Sequence, residues 1–400
     1  MTIFRNIDNN HIDKLDYLIV FLALCISGNP LFIYSKDYMF IGFAALFGLL
    51  CELRKTSLIN KDLRKWLLLF GMLFFLQLVF VDKVSIPADV NFISKILLAF
   101  FVASLLGVKF REVYFRVMVT LSIISIPLFL LNLLLDMSFG LEFDRYYTIF
   151  LYNQIIPSEF DQGIRNASMF WEPGAFQGYL MLIPIMFFDK LKNLWASNRL
   201  ACIVLVVAIL TTKSTTAYMT VALFFLMYYL TSGTVSLCRR ILIVSAGIAI
   251  FVFYVWNMDF MGGKIMKQYE DAQNLQAGDV SWDRFAVMQI DFLNIKRSPL
   301  VGNGFLDESR YGTLGEFMHG AGNGFTGSMN MFGIPFILLY LISVPRHLRF
   351  HVKNSTPIIM LTLILLLFGE YFLNYPMFWS LLFVKLPEKN ETNCSSTYRT

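Results

Sequence analysis

Long apolar segments alternate with short charged loops along almost the whole chain, and this alternation constrains the fold more than any other feature. The apolar runs extend over about 15–24 residues, a length typical of helices that cross a bilayer. Hydrophobic residues make up 57% of the chain and charged residues 15%, whereas a soluble domain carries about 25% charged residues. A transmembrane β-barrel would show alternating segments of about 10 residues instead. We therefore expect an all-α fold, with residues 1–400 forming a single polytopic transmembrane helical bundle.

The apolar runs predict about twelve membrane spans. They lie near 17–35, 38–51, 66–82, 92–108, 112–135, 173–189, 200–212, 215–232, 241–258, 323–344, 357–372 and 374–386. The second, seventh and twelfth are short for a bilayer of about 30 Å, so eleven spans is the alternative. The first run lacks a small-residue cleavage site, which favours a membrane anchor over a signal peptide.

Basic residues concentrate in every second loop. The loops after spans 2, 4, 6, 8 and 10 hold Arg54, Lys55, Lys61, Arg64, Lys65, Lys109, Arg111, Arg116, Lys190, Lys192, Arg199, Arg239, Arg240, Arg346, Arg349 and Lys353. The short loops on the other side hold little more than Lys36 and Lys83. This asymmetry predicts that both termini are cytoplasmic. It also explains the net charge of +5 without a nucleic-acid partner.

Two long segments, 136–172 and 259–322, fall on the extracytoplasmic side in this topology. Loops of this length are usually functional or disordered. Their aromatic residues argue against disorder, because solvated linkers keep few of them; they include Trp171, Trp282, Phe285, Phe292 and Phe305. We expect both loops to fold against the helical bundle.

The first outer loop re-enters the membrane through "RNASMFWEPGAF", residues 165–176. Pro173 suits the first turn of a helix, and Glu172 then lies at the helix N-terminus, where the macrodipole favours a negative charge. One interpretation is structural, with Glu172 as a cap and Arg165 as its interfacial partner. The other is that both side chains bind a ligand.

The second outer loop contains "SWDRFAVMQIDFLNIKRSPLVGNGF", residues 281–305. Apolar residues recur there at roughly helical spacing, at Phe285, Met288, Phe292 and Ile295. This predicts an amphipathic helix that begins near Arg284 and ends before Pro299, followed by a tight turn at Gly302 and Gly304. The turn lacks the context of a nucleotide-binding loop. An interfacial helix without a ligand is the alternative.

Four further polar residues stand near predicted membrane boundaries. His319 and Asn323 are four residues apart before span 10, so a helix would place them on one face. Lys213 lies in the hydroxyl-rich turn "TTKSTTAY", and Glu370 lies between the last two apolar runs. Ionisable residues at such positions are candidates for function, although Lys213 could equally extend to the membrane surface.

Metal chemistry is not expected. The other histidines, His11, His347 and His351, fall on the opposite side from His319 in this topology, and no CxxC pair occurs among the five cysteines. A zinc site needs several such ligands together. We therefore predict no metal and no cofactor.

The order and placement of three motifs resemble those of the O-antigen and capsular polysaccharide repeat-unit polymerases and the related O-antigen ligases. The motifs are "R…FWEPGAF" (Arg165, Phe170, Glu172, Pro173, Gly174), "DR" followed by "PLVGNGF" (Arg284, Pro299, Gly302, Gly304), and "H…N…G" (His319, Asn323, Gly333). The resemblance covers most of the chain. It implies a lipid-dependent glycosyltransferase of the bacterial inner membrane that acts on its outer face. The substrates would be undecaprenyl-pyrophosphate-linked oligosaccharides, and a chain-length regulator and a flippase would be candidate partners.

The chemistry of that reaction suggests a role for each residue. Arginine binds phosphate oxygens with a bidentate fork, so Arg165 and Arg284 are assigned to the pyrophosphate, with Lys213 as a third cation. Glu172 and His319 are the candidates for orienting or deprotonating the acceptor hydroxyl. Three further residues, Asn323, Gly302 and Gly304, are assigned to positioning the acceptor.

The polymerase is the leading hypothesis. A ligase that transfers the finished glycan to lipid A-core has nearly the same motifs. A flippase or transporter of lipid-linked sugars would favour inverted repeats and charges near the membrane midplane, which this sequence does not display. A scaffold without activity would leave the Arg, Glu and His residues unexplained.

Overall fold

The structure is a computed structural model that describes residues 11–34, 38–156, 164–231, 242, 245, 284–312, 323–348 and 355–386. Most of the predicted ninth span, 241–258, lies outside the described residues. So do parts of both outer loops, including His319.

Helices make up most of the described chain. In the first half they are α1 (Lys14–Gly28), α2 (Pro30–Ile33), α3 (Tyr38–Leu53), α4 (Lys61–Phe80), α5 (Ile86–Leu106), α6 (Phe110–Leu135), α7 (Pro173–Met186), α8 (Leu191–Ser197), α9 (Arg199–Thr211) and α10 (Thr215–Thr231). In the second half they are α11 (Arg284–Ile295), α12 (Asp307–Tyr311), α13 (Gly324–Phe332), α14 (Ile334–Leu348), α15 (Ser355–Gly369) and α16 (Pro376–Ser380).

Two helical stretches are long and apolar enough to cross a membrane: α4, and the stretch Ile86–Leu135 that contains α5 and α6. Two bent pairs raise the number to four if each is one span. These are Phe188–Ser197 with α9, bent by 111°, and α13 with α14, bent by 118°. Shorter apolar helices are α3, α15 and most of α10. The architecture is thus consistent with an all-α membrane protein, while the described helices alone reach fewer spans than the eleven or twelve predicted.

The last predicted span, 374–386, is wrong as a spanning helix. It holds only the end of a short 3₁₀ turn (Phe372–Asn374), α16 and a further turn. Its apolar side chains are buried inside the protein: Met377, Phe378, Trp379, Leu381, Leu382, Phe383 and Val384. The segment is apolar because it fills the core, and the hydropathy of a core segment resembles that of a span.

Neighbouring side chains satisfy the backbone of this irregular segment. Trp379 Nε1 donates to the Leu373 carbonyl at 2.8 Å, and the Tyr340 hydroxyl donates to the Phe378 carbonyl at 2.9 Å. At its far end, His347 Nε2 of α14 lies 3.0 Å from the Val384 carbonyl oxygen. Buried backbone outside a helix needs such partners. We call residues 370–386 the buried strap.

The first outer loop contains strands that the sequence did not predict. These are β1 (Leu141–Phe143), β2 (Tyr146–Thr148) and β3 (Asn153–Ile155), which pair antiparallel in the order β1-β2-β3. The described part of the loop is therefore folded, as its aromatic content predicted. Arg145 stands in the turn between β1 and β2, beside the site described next.

Candidate functional site

The backbone from Arg165 to Glu172 is anchored to several elements at once. Asn166 donates through Nδ2 to Thr211 Oγ1 of α9 (2.9 Å) and to Ser125 Oγ of α6 (3.2 Å). The Trp171 amide donates to the Gly28 carbonyl at the end of α1 (3.0 Å). The chain that carries Arg165 is thus held by three helices.

Aromatic stacking supports the same segment. The Phe170 ring stacks on Tyr179, with centroids 4.6 Å apart, and on Phe176, at 5.6 Å. Trp171 packs against Tyr375 of the buried strap at 4.7 Å. Such contacts add to apolar burial, so the start of α7 is rigidly seated.

Glu172 occupies the position before the first residue of α7, as predicted, and Pro173 begins the helix. However, the Glu172 side chain makes no capping hydrogen bond. Its carboxylate faces Arg145 instead, with Oε1 3.6 Å from Nη2. Glu172 therefore holds the N-cap position, where the helix dipole favours its charge, but its side chain does not cap the helix through a hydrogen bond.

Gly174 makes room for Glu370. A Cβ atom at position 174 would lie 2.6 Å from Glu370 Oε1, closer than real Cβ contacts come. Glu370 directly follows α15 and is 8% exposed. The absence of a side chain at 174 therefore lets a carboxyl group from the end of the chain approach the start of α7.

Lys213 lies between α9 and α10, in the predicted turn. Its φ angle of +47° is in the left-handed region, which is uncommon for a residue other than glycine. The Nζ atom stands 5.8 Å from the centroid of the Phe129 ring of α6. An ammonium group near the face of a ring gains a cation–π attraction.

Arg284 begins α11 and makes a fork of two contacts. Nη1 donates to Thr216 Oγ1 of α10 at 2.9 Å, and Nη2 lies 3.3 Å from Glu370 Oε1. Asn323 donates from Nδ2 to the Arg284 carbonyl at 3.4 Å. The guanidinium group is thereby placed between α10 and the buried strap.

A buried carboxylate fixes α11 two turns further on. Asp291 is fully buried and accepts hydrogen bonds from Tyr311 (3.0 Å), Thr326 (2.6 Å) and Asn330 (3.1 Å). Burial raises the pKa of Asp291, while these donors and the charge of Arg310 act in the opposite direction. This network joins α11 to α12 and α13.

A small polar cavity brings the predicted charged residues together. Its lining residues are Arg165, Glu172, Gly174, Lys213, Ser214, Thr215, Arg284 and Glu370. They come from the loop before α7, the α9–α10 turn, the start of α11 and the end of α15. The cavity volume is about 20 Å³, roughly the space of one water molecule. We call it the polar cavity.

Three cationic side chains meet two carboxyl groups at this cavity. Burial lowers the pKa of the Arg165 guanidinium, and nearby Arg284 adds to this, while Glu172 and Glu370 oppose it. Glu370 is buried, and its carboxyl group pairs with Arg284. The site thus concentrates positive charge where solvent screens it poorly.

The other predicted residues lie elsewhere. Gly302 and Gly304 adopt positive φ angles of +72° and +77°, as a tight turn requires. They lie beside the end of α13, where the Gln77 amide donates to the Val301 and Met331 carbonyls. Neither glycine lines the polar cavity, and the backbone geometry of the turn accounts for both.

Asn323 also has a structural position. Its Oδ1 atom accepts from the amides of Phe325 and Thr326, which caps α13. The predicted helical face shared with His319 cannot be compared, because His319 lies outside the described residues. Asn323 reaches the site only through the backbone of Arg284.

Three residues of the site were not assigned from the sequence. Glu370 was a candidate only because it is charged between apolar runs. Thr216 belongs to the hydroxyl-rich turn but was not singled out within it, and Arg145 was not considered, since a loop arginine is common. Only the fold brings the hairpin, α10 and the end of α15 to one place.

Chemically, the arrangement suits an anion that carries more than one charge, with a carboxylate nearby that can accept a proton. Within the described ranges, no group of three or more His, Cys, Asp or Glu side chains could hold a metal ion. No model of a known protein family matches the chain, and no curated protein does. The function is therefore inferred from the site and the fold.

Proposed function

We propose that the protein is a membrane polysaccharide polymerase. It transfers a glycan from undecaprenyl pyrophosphate to the sugar of a second lipid-linked repeat unit, in O-antigen, capsule or exopolysaccharide synthesis. The observation that carries the proposal is the convergence of Arg165, Lys213 and Arg284, from three separate elements, on one cavity beside Glu172. A pyrophosphate leaving group needs such clustered cations as it departs.

In the proposed reaction the acceptor hydroxyl oxygen bonds to the anomeric carbon of the donor glycan. The bond between that carbon and the pyrophosphate oxygen breaks, and its electron pair leaves with the lipid pyrophosphate. Arg165, Arg284 and Lys213 stabilise the charge on the leaving group. Glu172, at the rim of the cavity, is the candidate to accept the hydroxyl proton. His319 stays a second candidate for that role.

A large apolar cavity supports a lipid-linked substrate. It has a volume of about 730 Å³ and is lined by residues of α7, α8, α9 and α10. Its lining includes Leu210 and Tyr218, which flank the turn that carries Lys213. A hydrocarbon chain held there would have its phosphate end at the polar cavity.

A bulky substitution tests this placement. Ala222 lines the apolar cavity and is exposed, so Ala222→Trp can fill the cavity without overpacking the core. We expect the KM for lipid-linked repeat units to rise several-fold, with kcat little changed. Leu46→Trp, on an exposed face of α3 outside this cavity, is the matched control. An unchanged KM in Ala222→Trp would show that the lipid chain does not bind in the apolar cavity.

The contacts at the two ends of α1 support the proposed sidedness. Asp16, near its start, binds Arg54 at 2.8 Å and Lys109 at 3.2 Å, which belong to the loops predicted to be cytoplasmic. Gly28, at its end, binds the Trp171 amide beside the polar cavity. The 15-residue helix separates these groups by roughly 20 Å. We propose that the basic loops are cytoplasmic and that the polar cavity is extracytoplasmic.

The proposed number of crossings stays at eleven or twelve, with the last made by the buried strap instead of a spanning helix. Irregular backbone is tolerated at membrane depth when protein surrounds it, and the strap is buried. The bent pairs and the shorter helices would supply further crossings. Crossings are therefore built partly from broken elements.

The decisive experiment is polymerisation by purified protein in lipid nanodiscs supplied with lipid-linked repeat units. The wild type should form a ladder of lipid-linked polymer, while Arg165→Ala and Arg284→Ala should lose it by roughly 10²-fold or more. Arg297→Ala is the matched control, because Arg297 is exposed and does not line the cavity. Equal activity in all four proteins would refute the proposal.

The same assay separates the alternatives. A ligase would transfer the glycan to lipid A-core and leave repeat units alone. A flippase or transporter would move lipid-linked sugar between leaflets without forming a glycosidic bond. A scaffold would do neither, and the arginine substitutions would then have no measurable effect on chemistry.

A further inference from the structure

Glu370 is the one charged residue lining the polar cavity that the proposed reaction leaves without a role. It is a buried carboxyl group in contact with a cation that the reaction needs, since its Oε1 atom lies 3.3 Å from Arg284 Nη2. Gly174 leaves the space in which that oxygen lies. The Glu370 carboxyl group therefore lies against Arg284, the side chain that is proposed to bind an anion.

The cavity has little room besides its own side chains. About 20 Å³ is free, far less than a diphosphate occupies. The two terminal nitrogens of the Arg284 guanidinium already contact Thr216 and Glu370. An anion that takes the Glu370 position on Arg284 must therefore displace that carboxylate.

We propose that Glu370 is an internal counter-ion of Arg284, that an incoming dianion displaces it, and that Glu370 takes up one proton from solvent when this happens. This inference rests on the anion-binding part of the proposed function. A buried carboxylate that loses its cation is costly unless it is protonated. With Glu370 neutral, the cations that line the cavity outnumber its remaining carboxylate, Glu172, and this favours a dianion such as a diphosphate diester.

The surroundings of Glu370 favour the uptake of a proton. Glu172 approaches Glu370 from the start of α7 and interacts with it electrostatically. Other ionisable groups that face it are Arg165, Arg284, Tyr179 of α7 and Tyr375 of the strap. Once Arg284 binds the dianion instead, it no longer offsets the nearby Glu172 charge, so the buried Glu370 side chain is then more stable when it is protonated.

Glu370 and the dianion compete for Arg284, and this competition makes the dianion affinity depend on pH. As pH rises, Glu370 is more often ionised in the empty site and holds Arg284 more tightly. The affinity for a dianion should then fall, by up to about tenfold per pH unit if one proton is taken up. A residue with only a structural role would not produce this slope.

Sulfate is a suitable probe, because it stays a dianion near neutral pH. Its affinity for the purified full-length protein would be measured by thermal-shift titration from about pH 5.5 to 8.5, at constant ionic strength with chloride. In the wild type the affinity should fall with pH. Glu370→Gln should bind more tightly at high pH and lose the slope, while Glu308→Gln should behave as wild type. Glu308 is an exposed carboxylate paired with Lys83, outside the cavity.

Direct proton uptake provides a second measurement that needs no variant. Sulfate added to wild-type protein in weak buffer with an indicator dye should raise the pH, with up to one proton taken up per site. A pH-independent affinity in the wild type, no proton uptake, or an unchanged slope in Glu370→Gln would each overturn the inference. A wild type that does not bind sulfate at all would instead contradict the anion site itself.

Discussion

Gly174, at the start of α7, and Glu370, beyond α15, lie so close that a single methyl group at position 174 would collide with the carboxyl oxygen, at 2.6 Å. The residues are far apart in sequence, yet each fixes the space of the other. Gly174→Ala should therefore displace Glu370 and, through it, the Arg284 fork. A shift of about 1 Å at a catalytic site can cost up to roughly 10²-fold in rate, so we expect polymer formation to fall ten- to a hundredfold.

The comparison needs a glycine without neighbours. Gly71 of α4 has no atom within 4 Å of its ideal Cβ position, so Gly71→Ala should keep full activity. The double variant Gly174→Ala with Glu370→Asp shortens the opposing side chain and should recover part of the loss. Full activity in Gly174→Ala alone would show that the contact has no bearing on catalysis.

Arg284→Lys tests whether the geometry of the guanidinium matters beyond its charge. Lysine offers a point charge and cannot bind Thr216 and the ligand with one planar fork. We expect the variant to remain in the membrane at normal abundance while its kcat/KM falls at least tenfold. Near-normal turnover would mean that charge alone suffices at this position.

The assignment of the proton acceptor is tested at Glu172 and His319. Glu172→Gln keeps the size and hydrogen bonding of the side chain but removes the basic oxygen. If Glu172 is the base, turnover should fall by about 10²–10⁴-fold in that variant, and His319→Ala should retain more activity. The opposite pattern, measured with lipid-linked repeat units, would transfer the role to His319.

The sequence predicted that charged residues from distant segments would meet, and the polar cavity contains Arg165, Glu172, Lys213 and Arg284. It could not predict the hairpin arginine or the role of Glu370 in the cavity, because those contacts depend on tertiary packing. The glycines also show that local sequence does not reveal tertiary contacts. A turn glycine can be recognised from local pattern, whereas the need for Gly174 depends on a side chain almost 200 positions away.

In the second outer loop, the spacing of apolar residues predicted the helix correctly but part of its buried face incorrectly. The helix from Arg284 to Ile295 was predicted and is confirmed. Its predicted apolar face is wrong in part, since Phe292 is 46% exposed while Asp291 is fully buried. Hydrogen bonds from three neighbours make the burial of Asp291 possible, and a periodicity of apolar residues does not detect such a network.

Reporter fusions test the proposed sidedness. Positions 161 and 278 belong to the two outer loops and should report export, while a fusion at Lys61 should report the cytoplasm. Both outer positions lie outside the described residues, so these fusions test the sidedness of segments that the structure does not describe. A cytoplasmic signal at position 278 would contradict the proposal, because the two loops could then not meet at one face.

Asp291→Asn tests the support of α11. The substitution keeps the volume of the side chain but presents an NH₂ group to donors that need an acceptor. Leaving such buried groups unsatisfied costs about 1–3 kcal/mol, so the thermal midpoint in detergent should fall by several degrees. Gln289→Ala, an exposed position on the same helix, should leave the midpoint unchanged. An unaltered midpoint in Asp291→Asn would show that the network contributes little.

The buried strap has a consequence for biogenesis. A segment whose helix extends over only five residues cannot enter a bilayer independently, because its remaining amides would have no partners in lipid. It must pack against helices that are already inserted. Glu370 then reaches the polar cavity only once α7 and α11 are in place, so the cavity is completed late in assembly.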